Sequence, residues 1–231
     1  MTSIHVLSGG AAAGLVDTLR AQFKDRTGHP IEGDFGAVGL MKDKLLAGAP
    51  CDVVILTQAL VAQLAASGHV VQGSARSLGV VQTGIAVKLG DRAPDVSRPE
   101  SLKEALLAAN GIYFPDPIKA TAGIHFYKVL QQLGVADQLA ARLRTFPNGA
   151  TAMREMAQCE EPGLMGCTQM TEILYTQGVT WVGSLPAPFK LATDYTAATC
   201  AASVNRPSAQ LLVELLSGSE AAQQRLLAGF E

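Results

Sequence analysis

Residues 35–56 read FGAVGLMKDKLLAGAPCDVVIL, and the order of residue types in this stretch decides the fold class. It opens on four small or apolar residues, Gly36-Ala37-Val38-Gly39, which start a helix containing Leu40, Leu45 and Leu46. It closes on Cys51–Leu56 (CDVVIL), a mostly apolar run. Such a run is expected of a central parallel strand covered on both faces. Parallel neighbours need a crossover, usually a helix, so the stretch is one helix-to-strand step of an α/β sheet.

The same alternation extends in both directions. Upstream, Ile4–Leu7 reads as a strand and Ser8-Gly9-Gly10 as the turn opening a helix to about Thr27, with Leu15, Leu19 and Phe23 on one face. Ile31–Phe35 is a second strand. Downstream, Thr57–Ser67 is helical, and Leu78–Lys88 is a long β-rich segment. Ser101–Asn110 reads as a helix capped by Ser97 or Ser101, Gly111–Phe114 as a strand, and Thr121–Leu133 and Val135–Arg142 as helices. Thr151–Gln158 continues the helical pattern, and Leu164–Cys167 and Thr180–Val182 are short strands. Phe189–Ala198 is a second long β-rich segment before the closing helices Ala209–Leu216 and Glu220–Leu227. Two long β-rich segments within two runs of βα alternation predict two α/β lobes joined by a hinge, with a ligand cleft between them. Residues 1–81 and 192–231 make lobe 1, and residues 82–191 make lobe 2.

Composition narrows the function. The 231 residues carry 18 Lys+Arg against 20 Asp+Glu, a net charge of −2, and only 16% are charged. That balance gives no electrostatic case for nucleic acid or an anionic membrane as partner. Nothing reaches the roughly 18 apolar residues of a membrane span, so no membrane insertion is expected. No leader precedes Ile4, so the chain as written reads as cytoplasmic; with a leader removed it would be periplasmic. The four cysteines (Cys51, Cys159, Cys167, Cys200) contain no CxxC pair and fit no zinc spacing. They read as buried thiols, the alternative being a Cys159–Cys167 staple across a hairpin. No metal site and no cofactor are expected, since neither G-x-G-x-x-G nor GxxxxGK[ST] is present.

A repeated device is the best functional signal. Small or hydroxylated residues stand where a helix is about to start at Ser8-Gly9-Gly10, Gly36-Ala37-Val38-Gly39, Thr121-Ala122-Gly123 and Asn148-Gly149-Ala150-Thr151. Each offers free N–H groups at a positive helix end, the chemistry of an anion site. Ordinary strand-to-helix turns favour the same residues, which is the competing reading. Lys119 and His125 flank the third turn, as a cation for an anionic ligand and a group able to transfer protons, or as a solvated Lys and a packed His. Thr168 and Gln169 follow an apolar strand at the end where open α/β sheets place ligands. Glu172 reads as a surface helix position or as a general base, and Tyr195 as a ligand donor or hinge packing. His5 and His29 look structural, and Trp181 belongs to the core.

Over nearly its whole length the chain resembles type II periplasmic solute-binding proteins, in particular the molybdate-binding-protein-like branch. Ser8-Gly9-Gly10 looks like that family's first anion-binding turn, and residues 35–56 like its second turn, helix, Gly-Ala-Pro and Asp-containing strand. IYFPDPIKATAGIHFYKVLQQLGV is similar to its second-lobe ligand turn and helix. GCTQMTEIL and Tyr195 sit where the family places its last binding groups. The resemblance implies a two-lobed, hinged α/β fold that holds a small anion through neutral donors and presents it to an ABC importer. One departure is that Ala37-Val38 stands where molybdate binders offer a serine hydroxyl. Under this reading the ligand groups are Ser8, Gly9, Gly10, Ala37, Val38, Lys119, Thr121, Ala122, Gly123, His125, Thr151, Thr168, Gln169 and Tyr195, in a monomer. Relatives with isomerase activity on aconitate supply the alternative: proton transfer on an unsaturated carboxylate, with His125 or Glu172 as base.

Overall fold

The computed structural model describes residues 2–231. In chain order the elements are β1 (Ile4–Gly9), α1 (Ala13–Thr27), β2 (Ile31–Gly36), α2 (Val38–Leu46), β3 (Val53–Thr57), α3 (Gln58–Ala66), β4 (Arg76–Lys88) and α4 (Pro99–Ala108). They continue as β5 (Gly111–Pro115), α5 (Thr121–Gln132), α6 (Ala136–Leu139), β6 (Leu143–Phe146), α7 (Gly149–Gln158) and β7 (Leu164–Gln169). The last are α8 (Met170–Tyr175), β8 (Val179–Ser184), β9 (Ala192–Thr199), α9 (Arg206–Ser217) and α10 (Ala222–Leu227). The chain divides into two compact units, Met1–Val81 with Asp194–Glu231, and Gln82–Thr193.

In the first unit β1 lies between two parallel neighbours, β2 (Gly9 beside Gly36) and β3 (Ser8 beside Ile55), and β9 runs antiparallel to β3, with Tyr195 opposite Thr57. The carboxyl ends of β1, β2 and β3 and the start of β9 therefore share one edge. Helix α1 closes one face of this sheet by burying Leu15, Leu19 and Phe23 to 1% exposure or less, each such side chain contributing about 1.5–3 kcal/mol. It stops at Gly28, whose φ of 72° suits a residue without Cβ. The Thr57 hydroxyl accepts from the Leu60 N–H and caps α3.

In the second unit β5 pairs in parallel with β6 and with β7, and β4 runs antiparallel to β7 and β8. The register sets Tyr113 beside Gly166, so Pro115 falls beside Thr168, and it sets Thr83 opposite Gln169. The carboxyl ends of β5, β6 and β7 again share an edge. One face packs Ile85, Phe114, Phe126, Leu130, Leu139 and Cys167 together; Phe114 meets Phe126 edge-on at 5.3 Å. The other face holds Tyr113, Met153, Met156 and Ile173.

Several sequence expectations shift. Ser8 and Gly9 belong to the strand, and the first turn of helix begins at Gly10. The α4 cap is Arg98, neither Ser97 nor a free Ser101: the Ser101 hydroxyl instead donates to the Arg98 carbonyl from inside the helix. Residues 143–146, unassigned in the sequence, form β6, a short edge strand whose LRTF lacks an apolar run. Trp181 is half-buried on β8 rather than in the core. The Cys159–Cys167 staple does not form: Cys167 packs on one face of the second sheet and Cys159 against the other, and all four thiols are free.

Candidate functional site

At the first unit's edge, small residues bring backbone into the open. A Cβ at Gly9 would sit 2.8 Å from Val38 Cγ1 and 3.0 Å from the Tyr195 ring, so only glycine lets these three elements meet. Ser8 is buried, and its hydroxyl donates to the Gly9 carbonyl at 2.8 Å. Helix α2 starts at Ala37, which has no side-chain oxygen to cap it. The first intrahelical bond runs from the Met41 N–H to the Ala37 carbonyl, so the N–H groups of Val38, Gly39 and Leu40 have no acceptor within the helix. Ala37 and Val38 are 5% and 7% exposed, so the Val38 donor stands on buried backbone, while Gly39 is half-buried and Leu40 exposed.

The second unit presents two helix starts at its edge. Helix α5 begins after Ala120 with no side-chain cap. Asp116 Oδ1 is occupied just upstream, accepting from the N–H groups of Ile118 and Lys119 at 2.6 and 2.9 Å. Gly123 is required by packing: a Cβ there would run into the carbonyls of Pro115 and Asp116, so α5 lies directly on the end of β5. Thr121 is half-buried and Ala122 fully buried, while Lys119 is exposed. His125 Nε2 lies 2.8 Å from the Phe189 carbonyl, tying the first turns of α5 to the segment before β9.

Helix α7 starts differently. The Asn148 side chain accepts from the Thr151 N–H at 2.8 Å, a regular cap. The carboxylate of Glu172, from α8, occupies the remaining space. It accepts from the Thr168 hydroxyl at 2.5 Å and from the backbone N–H groups of Ala150, Gln169 and Gly149. Gly149 has no room for a Cβ, which would strike Thr168 Oγ1 and Glu172 Oε2. Glu172, expected on a helix surface, is thus 5% exposed, and its carboxyl group supplies the acceptor at a helix start. Burial pushes its carboxyl above the usual carboxylate range, and the four donors pull the other way. The Thr168 hydroxyl is spent on this contact. The Thr151 hydroxyl accepts from Arg154 one turn along.

Gln169 is satisfied only in part. It is 2% exposed; its Oε1 accepts from the Thr83 hydroxyl at 3.2 Å, and its Nε2 has no partner. A buried amide donor left unpaired costs roughly 1–3 kcal/mol, so it marks a place where a missing acceptor belongs. Sequence reasoning placed Gln169 here from its position after an apolar strand. It missed Thr83, which comes from the opposite strand and carries no local signal. Among the described residues no cluster of three metal-ligating side chains occurs, and no helix is long and apolar enough to cross a membrane.

A two-unit α/β chain whose parallel strands end in small-residue helix starts is the pattern of solute-binding proteins. The model of the bacterial extracellular solute-binding protein family matches residues 4–231, and the chain belongs to that family. Two curated proteins resemble it over most of its length. An aconitate isomerase of a Pseudomonas species is 27% identical, across 96% of this chain and 85% of the isomerase. The molybdate-binding protein ModA of Escherichia coli K12 is 22% identical, across 95% of this chain and 85% of ModA. Among solved structures, the periplasmic molybdate-binding protein of Azotobacter vinelandii superposes with a TM-score of 0.80 at 20% identity, covering 99% of each chain. The fold is therefore the type II solute-binding fold of the molybdate-binding-like branch, as the sequence motifs imply.

Proposed function

We propose that the chain captures a small anion, a carboxylate or an oxyanion, through uncharged donors at these strand-end edges, and delivers it to an ABC importer. The observation that carries this reading is the Gln169 amide, buried and unpaired at the carboxyl end of β7, in the unit whose α5 starts without a side-chain cap. The uncapped α2 start and the close meeting of Gly9, Val38 and Tyr195 support the same role in the first unit. Neutral donors suit the task, because burying a Lys or Arg against the ligand would carry a large desolvation cost. Val38 offers no hydroxyl for a tetrahedral oxyanion, which favours a carboxylate with a carbon skeleton. Likeness to both an aconitate isomerase and a molybdate-binding protein supports an anionic ligand.

The likeness to the isomerase also supports a second reading, proton transfer on an unsaturated carboxylate. His125 is its better base, since Glu172 is engaged by four donors. Thermal-shift titration with molybdate, tungstate, sulfate, citrate and cis- and trans-aconitate tests both. A ligand that binds only the folded state at 100 times its Kd raises stability by about 2.7 kcal/mol. A rise with none of these anions overturns the anion reading. Any carboxylate that binds is then incubated in deuterated water. Exchange or cis–trans conversion that Ala at His125 abolishes establishes the isomerase, and no exchange leaves capture alone.

A further inference from the structure

Cys51 and Cys200 lie in the first unit with their Sγ atoms 3.2 Å apart, although 149 positions separate them in sequence. We propose that this pair is a disulfide site: a thiol–disulfide oxidant converts it to a bridge that clamps the returning C-terminal segment onto β3. The backbone already holds both residues in place. The Cys200 N–H donates to the Asp52 carbonyl at 2.9 Å, the Ala201 N–H to the His69 carbonyl at 2.9 Å, and Cys200 bridges to Val70 on its other side. Asp52, between the pair in the chain, is itself fixed; its carboxylate accepts from the His5 N–H and the Ser203 hydroxyl. A disulfide needs about 2.05 Å between sulfurs, so the thiols must close by only about 1.2 Å.

Access sets the order of steps. Cys51 is half-buried and Cys200 is 1% exposed, so the oxidant meets Cys51 first. The Cys51 thiolate attacks a small-molecule disulfide, forming a mixed disulfide and releasing one thiolate of the reagent. The Cys200 thiolate then attacks the Cys51 sulfur and expels the second. Two protein thiols lose two protons and two electrons, and the disulfide reagent is reduced to two thiols. In the reduced pair the Cys51 hydrogen bond, burial and nearby Asp52 push the Cys200 thiol above its ordinary range. Once Cys51 is in the mixed disulfide, burial and Asp52 still oppose the Cys200 thiolate, so the second step quickens with rising pH. The pair lies where β3 begins and β9 has ended, whereas Thr57 and Tyr195 stand at the other ends of those strands. The proposal is thus independent of the ligand reading.

The test uses the whole chain, reduced and then equilibrated with oxidised glutathione. The free-thiol count under denaturing conditions should fall from four to two, with a peptide linking Cys51 to Cys200. Closing a loop of this length should raise Tm by roughly 5–10 °C. The variants Cys51→Ser and Cys200→Ser should each keep their remaining thiols free of an internal bridge, while Cys159→Ser should still form it. Four surviving thiols, a glutathione adduct left on Cys51, a linkage through Cys159, or a bridge without a rise in Tm would each overturn the proposal.

Discussion

Helices α2 and α7 start alike in sequence and end up chemically opposite. Both follow a strand and open on small residues, Gly36-Ala37-Val38-Gly39 and Asn148-Gly149-Ala150-Thr151. At α7 an Asn cap and the Glu172 carboxylate consume the N-terminal donors, and Thr168 braces that carboxylate. At α2 the cap position is Ala37, and nothing in its side chain accepts. A positive helix end demands an acceptor. Whether the protein supplies it or leaves it to a ligand is decided by residues remote in sequence. One of the four small-residue turns thereby changes meaning, for α7 is internally satisfied, whereas α5 starts uncapped and only its Gly123 serves packing.

The sharpest way to break the contrast is at Gly149. Ala there drives a methyl into Thr168 and Glu172, and should cost about 3 kcal/mol, seen as a Tm lower by about 6–12 °C. An unchanged Tm would mean that α7 is not closed over Glu172. Next comes Glu172 itself. Ala strands three backbone N–H groups and the Thr168 hydroxyl, for a loss of about 2–4 kcal/mol in denaturant unfolding. Gln keeps the shape and should cost less than half of that. The sign of its pH effect follows from the raised carboxyl. A folded-state value above the unfolded one gives stability that is full below the unfolded pKa, near 4.3, and is lost as pH rises through the folded value. Gln at 172 should flatten that decline; unfolding curves measured from about pH 4 to pH 8 would show it.

Smaller effects probe the donors left open. Gln169→Ala removes the unpaired amide and should weaken anion binding about tenfold or more by calorimetry, consistent with about 1–3 kcal/mol per buried hydrogen bond. Undiminished affinity would remove Gln169 from the site. The subtlest change is Ala37→Ser, which gives α2 the cap it lacks. Stability of the ligand-free protein should rise by about 0.5–1 kcal/mol while affinity falls, because cap and ligand compete for the same N–H groups. Both quantities rising together would show that α2 offers nothing to the anion.

The architecture was legible because hydrophobic periodicity is a local signal: CDVVIL and the four-residue spacing of Leu15, Leu19 and Phe23 each name their element unaided. Residues 143–146 were not, since a four-residue edge strand buries too little to imprint a pattern. The place of Gln169 at a strand end was legible from the apolar run before it. Side-chain chemistry was illegible where pairing decides it. Glu172 reaches the start of α7 from 23 positions past Gly149, and Cys200 reaches Cys51 from farther still. Nothing in either local segment announces its partner.

The routing of the chain has a consequence for synthesis. Residues Gln82–Thr193 are contiguous, whereas the first unit needs Asp194–Glu231, including β9, to finish its sheet. As the polypeptide leaves the ribosome, the later-made unit holds all its strands first, while β3 waits with one side unpaired. The closing contact is the reciprocal bond between Val80 and Glu231, at 2.9 and 2.8 Å. Assembly order is therefore the reverse of translation order: the portion made first is the portion completed last.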